Sequence, residues 1–225
     1  MEFEEKRKRL VENLKNRDIL TSPKVIQAML SVPRHKFLSK DVQSSAYMDT
    51  PLMIGSGQTI SAPHMNAMMC EYLELKEGEK VLEIGTGSGY HAALCAEIVA
   101  PESSKNQGHV YTIERHLKLV QHAQECLKKA GYEKRVSVIH GDGTLGYPEQ
   151  APFDKILVTA ASPKKIPPPL KKQLKKGGIL CIPAGSHTFG QNLYIIKKNT
   201  KGEFEEKKIT GVRFVPLIGR YGFES

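Results

Sequence analysis

Apolar positions along this chain follow two rhythms. Over Phe3–Leu20 they fall at helical spacing, with Leu10, Val11 and Leu14 on one face. Ser22-Pro23 opens a second helix to Leu30, because proline suits a first turn whose amides have no partner anyway. Val32-Pro33-Arg34-His35 breaks it. Residues 41–60, with Pro51, Gly55 and Gly57, read as irregular, and a third helix follows over 62–73, capped by Ser61 or Thr59. From Lys80 onward short apolar runs alternate with helical periods. Strands are expected near 80–84, 109–113, 135–140, 154–159, 179–183, 191–197 and 207–214, and helices near 89–100, 116–130 and 168–176. That order predicts an α/β fold, doubly wound around a mostly parallel sheet covered on both faces. No helix separates the late strands, so they are expected to pair antiparallel at one edge. The reading is one domain over 1–225: an N-terminal helical and loop segment (1–75), a nucleotide-binding core (76–200) and a C-terminal strand (201–225).

Composition narrows the class. With 225 residues, 40% of them hydrophobic, and a mean hydropathy of −0.36, the chain suits one globular domain. No apolar run approaches the roughly eighteen residues of a membrane span. Met1-Glu2-Phe3-Glu4-Glu5-Lys6 lacks the apolar stretch of a signal peptide, so a cytoplasmic monomer with no membrane partner is expected. Cys70, Cys95, Cys126 and Cys181 are scattered without metal or redox spacing, which reads as four small buried hydrophobes and no metal. The net charge of +9 raises nucleic acid as a partner. The lysine pairs are spread over helix faces and loops, however, and none is interleaved with aromatics. They read as a solvated surface, with loose steering of acidic or damaged polypeptides as a secondary use.

The chemistry concentrates at Val81-Leu82-Glu83-Ile84-Gly85-Thr86-Gly87-Ser88-Gly89. A strand, a glycine turn and a helix form the first half of a nucleotide-binding unit. Glu114 closes the second strand, where a carboxylate can hold two ribose hydroxyls. A dinucleotide site wants Gly-x-Gly-x-x-Gly for its pyrophosphate, whereas this loop is Gly-x-Gly-x-Gly with Glu83 ahead of it. An acidic neighbour would repel a pyrophosphate and suits a cationic ligand. S-adenosyl-L-methionine, with a sulfonium, an amine and no phosphate, fits. Gly141-Asp142-Gly143 and Thr159-Ala160-Ala161 end later strands on the same crevice. Asp142 is a candidate acceptor for the adenine amine, or a turn aspartate, and Ala160 leaves room for a substrate.

The methyl acceptor follows by elimination. Methylation of a base nitrogen uses an Asp/Asn-Pro-Pro-Tyr set after the fourth strand, and Thr159-Ala160-Ala161-Ser162-Pro163 stands there instead. Cys181-Ile182-Pro183 lies on a strand and does not suit a nucleophile, and no carboxylate cluster offers a metal. An acceptor that needs no activation remains. A carboxylate is ionised at neutral pH, and its reaction with a sulfonium gains from alignment and loss of water more than from a base. The run Ile54-Gly55-Ser56-Gly57-Gln58-Thr59-Ile60-Ser61-Ala62-Pro63-His64-Met65 is glycine-rich, then hydroxyl-rich, then opens a helix. Hydroxyls and free amides there suit a carboxylate, though by itself the segment reads more simply as a capped flexible loop.

Taken together, Val32-Pro33-Arg34 with Phe37, Gly57–Met65, Val81–Tyr90, Gly141-Asp142-Gly143, Ala151-Pro152-Phe153-Asp154, Val158-Thr159-Ala160-Ala161 and Val212-Arg213-Phe214-Val215-Pro216-Leu217 resemble the protein-L-isoaspartate (D-aspartate) O-methyltransferase family over nearly the whole chain. The resemblance implies a Rossmann-like class I methyltransferase fold. It implies an enzyme that methylates the misplaced α-carboxylate of isoaspartyl residues in damaged proteins, after which the ester collapses to a succinimide and returns partly to aspartate. Whether D-aspartyl residues are accepted stays open. Ser61 stands at the family's active-site serine and is expected to hold the substrate carboxylate or order its loop. Thr59, Glu83, Gly85, Thr86, Gly87, Ser88, Gly89, Glu114, Gly141 and Asp142 form the expected cofactor set. Ile60, His64, Ala160, Val212, Phe214 and Val215 form the expected substrate set. Ile218-Gly219-Arg220 departs from relatives that carry Thr-Asp there. An RNA or small-molecule methyltransferase, and a binding protein without turnover, are the two other readings.

Overall fold

The computed structural model describes residues 2–186 and 190–224. Its centre is a seven-stranded sheet built from β3 (Lys80–Ile84), β4 (His109–Glu114), β5 (Val136–His140), β6 (Phe153–Val158), β7 (Leu174–Ser186), β8 (Gly190–Lys198) and β9 (Phe204–Val212). The order is β5-β4-β3-β6-β7-β8-β9. The five strands from β5 to β7 in that order run parallel, β8 pairs antiparallel with β7, and β9 pairs antiparallel with β8. The chain winds outward to β4 and β5 on one side of β3 and to β6 on the other. The crevice at the carboxyl ends of β3 and β6 is therefore the switch point where such sheets take ligands.

Strand parity divides the core. Val81, Val110, Val136, Leu157 and Cys181 face one layer, and Leu82, Ile113, Ile156, Val158 and Leu180 face the other. The first face is covered by α3 (Pro63–Leu73), α4 (Tyr90–Val99) and α5 (Leu117–Ala130), with α1 (Glu2–Asn16) and α2 (Pro23–Ser31) packed outside them. The second face meets α6 (Pro168–Gln173). Helix α4 is apolar nearly all round and wholly buried but for Glu97, as a helix between a sheet and other helices must be. No helix among the described residues is long and apolar enough to cross a membrane.

Three local expectations change. The first helix stops at Asn16 rather than Leu20, where Asp18 turns to φ +53°. Residues 41–60 are not wholly irregular: β1 (Leu52–Gly55) and β2 (Gln58–Ile60) form an antiparallel hairpin. Strand β7 begins at Leu174, so the helix before it is shorter than the expected 168–176.

Candidate active site

The glycine loop leaves β3 and bends sharply. Gly85 has φ +95°, and a Cβ there would lie 2.4 Å from Thr159 Oγ1. That hydroxyl donates to the Gly85 carbonyl at 2.6 Å, so the ends of β3 and β6 are laced together across the crevice. Gly87 has φ +54°, and a Cβ there would press on Ile54 of the hairpin. Glycine at both positions lets the backbone approach whatever lies beyond it.

A cleft with about 580 Å³ of empty space opens over this loop, lined on one side by Gly85, Gly87, Glu114 and Arg115 and on the other by Ala160, Val215, Leu217 and Ile218. Ile84 and Ile113 give it an apolar floor, and Gln58 and Thr59 reach over from the hairpin. Glu114 accepts from the Gly87 amide (3.0 Å) and the His116 amide (3.0 Å), which fix its carboxylate at the rim. A carboxylate holds about four acceptor sites, so capacity for two hydroxyls remains. An apolar slot for a base, an oriented acidic group for a ribose and glycine amides beside them suit an adenosyl ligand without phosphates.

Glu83 does not belong to this cleft. Strand parity turns it with Val81 toward the helical layer, where it is fully buried. There it faces its cross-strand partner Thr112, which donates to Oε2 at 2.6 Å. Burial pushes its carboxyl up to about 7, against the opposing pull of His91 and Thr112. The expectation of a fixed negative charge beside a cationic ligand is therefore corrected. Thr86 pairs through its hydroxyl with Thr112, and it and Ser88 line a small adjoining recess with Ile60 and Ser61. Gly89, at φ +87°, packs against Leu127 and starts α4. Gly141 donates to the Glu114 carbonyl. Asp142 Oδ1 accepts from the Thr144 amide and hydroxyl, and Oδ2 accepts from the Arg220 amide at 2.8 Å. Its carboxylate thus braces the Ile218-Gly219-Arg220 turn, and a Cβ at Gly219 would strike it at 2.1 Å.

A second, open groove meets the cleft at Thr59, Thr159, Val215 and Pro216. Ser61, His64 and Met65 form one wall, and Val212, Arg213 and Phe214 form the other. Ser61 does not cap α3 as expected, since Ala62 is the capping residue and makes no side-chain bond. The cap comes from far away: Asp49 Oδ1 accepts from the His64 amide and its ring Nδ1, both at 2.8 Å. His64 is thereby tied down at the groove wall. Ser61 itself is held by Arg34, which is wholly buried and donates to Ser61 O (2.8 Å), Ala46 O (2.9 Å) and Asn66 Oδ1 (3.1 Å). Burial lowers this guanidinium to about 10, which keeps it charged at neutral pH.

Beyond β9 the chain crosses back over the crevice. Gln191 clamps it, donating to the Phe214 carbonyl (3.1 Å) and accepting from the Phe214 amide (2.6 Å). Ala161 adds two more bonds, to the Val215 carbonyl and the Leu217 amide. Of the expected substrate set, Val212, Phe214 and Val215 lie along the groove, Ala160 lies in the cleft, and Ile60 is buried in the core. Arg34, Gln191 and Thr159 were not in either expected set. The Val-Pro-Arg motif signalled the first of them and the Thr159-Ala160-Ala161 strand end signalled the last, while nothing in the sequence signalled Gln191.

The profile of the protein-L-isoaspartate (D-aspartate) O-methyltransferase family matches residues 5–222. The chain belongs to that family. A protein-L-isoaspartate O-methyltransferase of Hyperthermus butylicus is 54% identical over 223 residues, 98% of this chain and 92% of its own. One from Methanopyrus kandleri is 50% identical and covers 99% of this chain and 95% of its own. A crystal structure of the Plasmodium falciparum protein-L-isoaspartate O-methyltransferase, in complex with S-adenosyl-L-homocysteine, superposes with a TM-score of 0.83 at 33% identity. It covers 94% of this chain and 98% of that one. As a family member the chain is an S-adenosyl-L-methionine-dependent O-methyltransferase of L-isoaspartyl residues, with the class I methyltransferase fold.

Proposed function

We propose that methyl transfer takes place where the cleft meets the groove, between Thr59 and Thr159. The observation that carries this reading is that the two cavities share these two threonines with Val215 and Pro216, and meet nowhere else among their lining residues. Bound in the cleft, S-adenosyl-L-methionine supplies an electrophilic methyl group on a sulfonium. Glu114 holds the ribose hydroxyls, Ile84, Ile113 and Leu217 flank the base, and the Gly85–Gly87 backbone borders the amino-acid part. The isoaspartyl carboxylate enters along the groove. It is ionised at neutral pH and needs no base, so the chain's task is to align it and exclude water. Ser61 and Thr59 orient that carboxylate with their hydroxyls, and the Val212–Val215 segment guides the main chain of the damaged polypeptide.

We further read 1–225 as one methyltransferase domain, acting as a monomer in the cytoplasm on damaged proteins and peptides rather than on nucleic acid. Support for the last point comes from the lysines. Lys171, Lys175 and Lys197 pair with Glu206, Asp154 and Glu74, which offsets part of the basic charge.

The deciding test offers labelled S-adenosyl-L-methionine with two peptides that differ only in isoaspartate against aspartate. Base-labile label on the isoaspartyl peptide alone is expected; equal labelling of both overturns the reading. Ser61→Ala is expected to cut kcat/KM at least about tenfold with cofactor affinity kept, since the lost contact is to the acceptor.

A further inference from the structure

Beneath the glycine loop lies a cluster that the methyl transfer does not use. Cys70 sits on α3, and His91 and Cys95 sit four residues apart on one face of α4. All three are buried, and one ligand atom from each lies within 4.8 Å of the other two. Cys70 Sγ and His91 Nε2 are 3.4 Å apart. Around a tetrahedral ion with metal–sulfur and metal–nitrogen bonds of about 2.3 and 2.05 Å, two such atoms lie about 3.6 Å apart. The pair is thus already at the spacing of atoms that share one ion. A second observation points the same way. Glu83 Oε1 is buried without a hydrogen-bond partner, and Glu83 and His91 act electrostatically on one another. A buried carboxylate oxygen left unpaired is costly, and a cation beside it would offset that cost.

We infer that Cys70, His91 and Cys95 form a structural site for a thiophilic d10 cation, Zn2+ or Cu+. Soft thiolate ligands with an imidazole select such ions. Loading would release the two thiol protons to solvent and form two metal–thiolate bonds and one metal–imidazole bond. Its consequence is mechanical. Helix α3 starts two residues after Ser61 and α4 starts directly after Gly89, so one ion at their contact would pin the acceptor loop to the cofactor loop.

The test refolds the reduced full chain with Zn2+, or with Cu+ under anaerobic conditions, and measures metal per chain after desalting. About one ion per chain is expected in wild type and in Cys126→Ala, with at least about tenfold less in Cys95→Ala. The thermal midpoint should rise with the ion in the first two proteins only. Cys95→Ala must still bind S-adenosyl-L-homocysteine, which shows that it folds. A Co2+ titration of wild type gives a check that needs no variant, because thiolate ligation produces sulfur-to-cobalt charge-transfer bands. Overturning results are no ion retained by wild type, no such bands, equal loading of Cys95→Ala, or loss of two thiols to a disulfide without metal.

Discussion

Arg34 donates from Nη2 to the Ser61 carbonyl at 2.8 Å, across 27 residues of chain. A buried guanidinium therefore sets the position of the serine that faces the groove, through backbone rather than side chain. Its other donors reach Ala46 and Asn66, and the Tyr90 ring lies 4.9 Å from its centre. Lysine cannot reproduce this fork. Arg34→Lys is expected to lose about 1–3 kcal/mol of stability, as one or more acceptors lose their partner. It should also lower kcat/KM for the isoaspartyl peptide more than it weakens S-adenosyl-L-homocysteine binding. Thermal unfolding, steady-state kinetics and titration calorimetry measure the three quantities, and an unchanged midpoint would contradict the assignment.

Glu114 is oriented by two backbone amides. Glu114→Ala removes a charged acceptor from the cleft and should weaken S-adenosyl-L-homocysteine by about 1–3 kcal/mol. Titration calorimetry reads this directly; wild-type affinity in the variant would remove the ribose role.

Gln191 acts on the acceptor side. Its side-chain amide substitutes for a neighbouring strand at Phe214, so Gln191→Ala frees the segment that walls the groove. The expected signature is a rise in KM for the peptide with KM for the cofactor within about twofold. A variant that raised both equally would mean that the clamp merely supports the fold.

Glu83 gives the pH dependence. Its folded pKa of about 7 stands above its ordinary 4.5, with burial the largest cause and His91, Cys70 and Glu114 the charged neighbours. The native state therefore keeps a proton that the unfolded chain has released. The resulting stability is present below about pH 4.5 and is lost as pH rises through about 7, amounting to roughly 3 kcal/mol. Glu83→Gln stays neutral at every pH. Chemical denaturation should find it near wild type at pH 5 and more stable than wild type at pH 8. A constant difference at the two pH values would refute this account.

Much of the site was legible because its signals are local. A strand, Gly85, Gly87 and Glu114 at the next strand end must converge in any doubly wound sheet, and the Gly57–Met65 run keeps Ser61 beside them. The same logic fails at Glu83, because nearness along the chain does not decide which face of the strand its side chain takes. The expected irregular stretch hid a hairpin because its two strands are only four and three residues long, too short for a period to show. The sequence by itself determined the order of strands and helices, the place of the crevice and the cofactor's chemical class, since each follows from periodicity, turn residues and motif spacing. Only the tertiary structure decided that Gln191 would clamp Phe214, that Arg34 would hold Ser61, and that Cys70 would meet His91 and Cys95. Those partners lie far apart in the chain, and what joins them is the need of buried polar groups for partners once two helices and a sheet have closed over them.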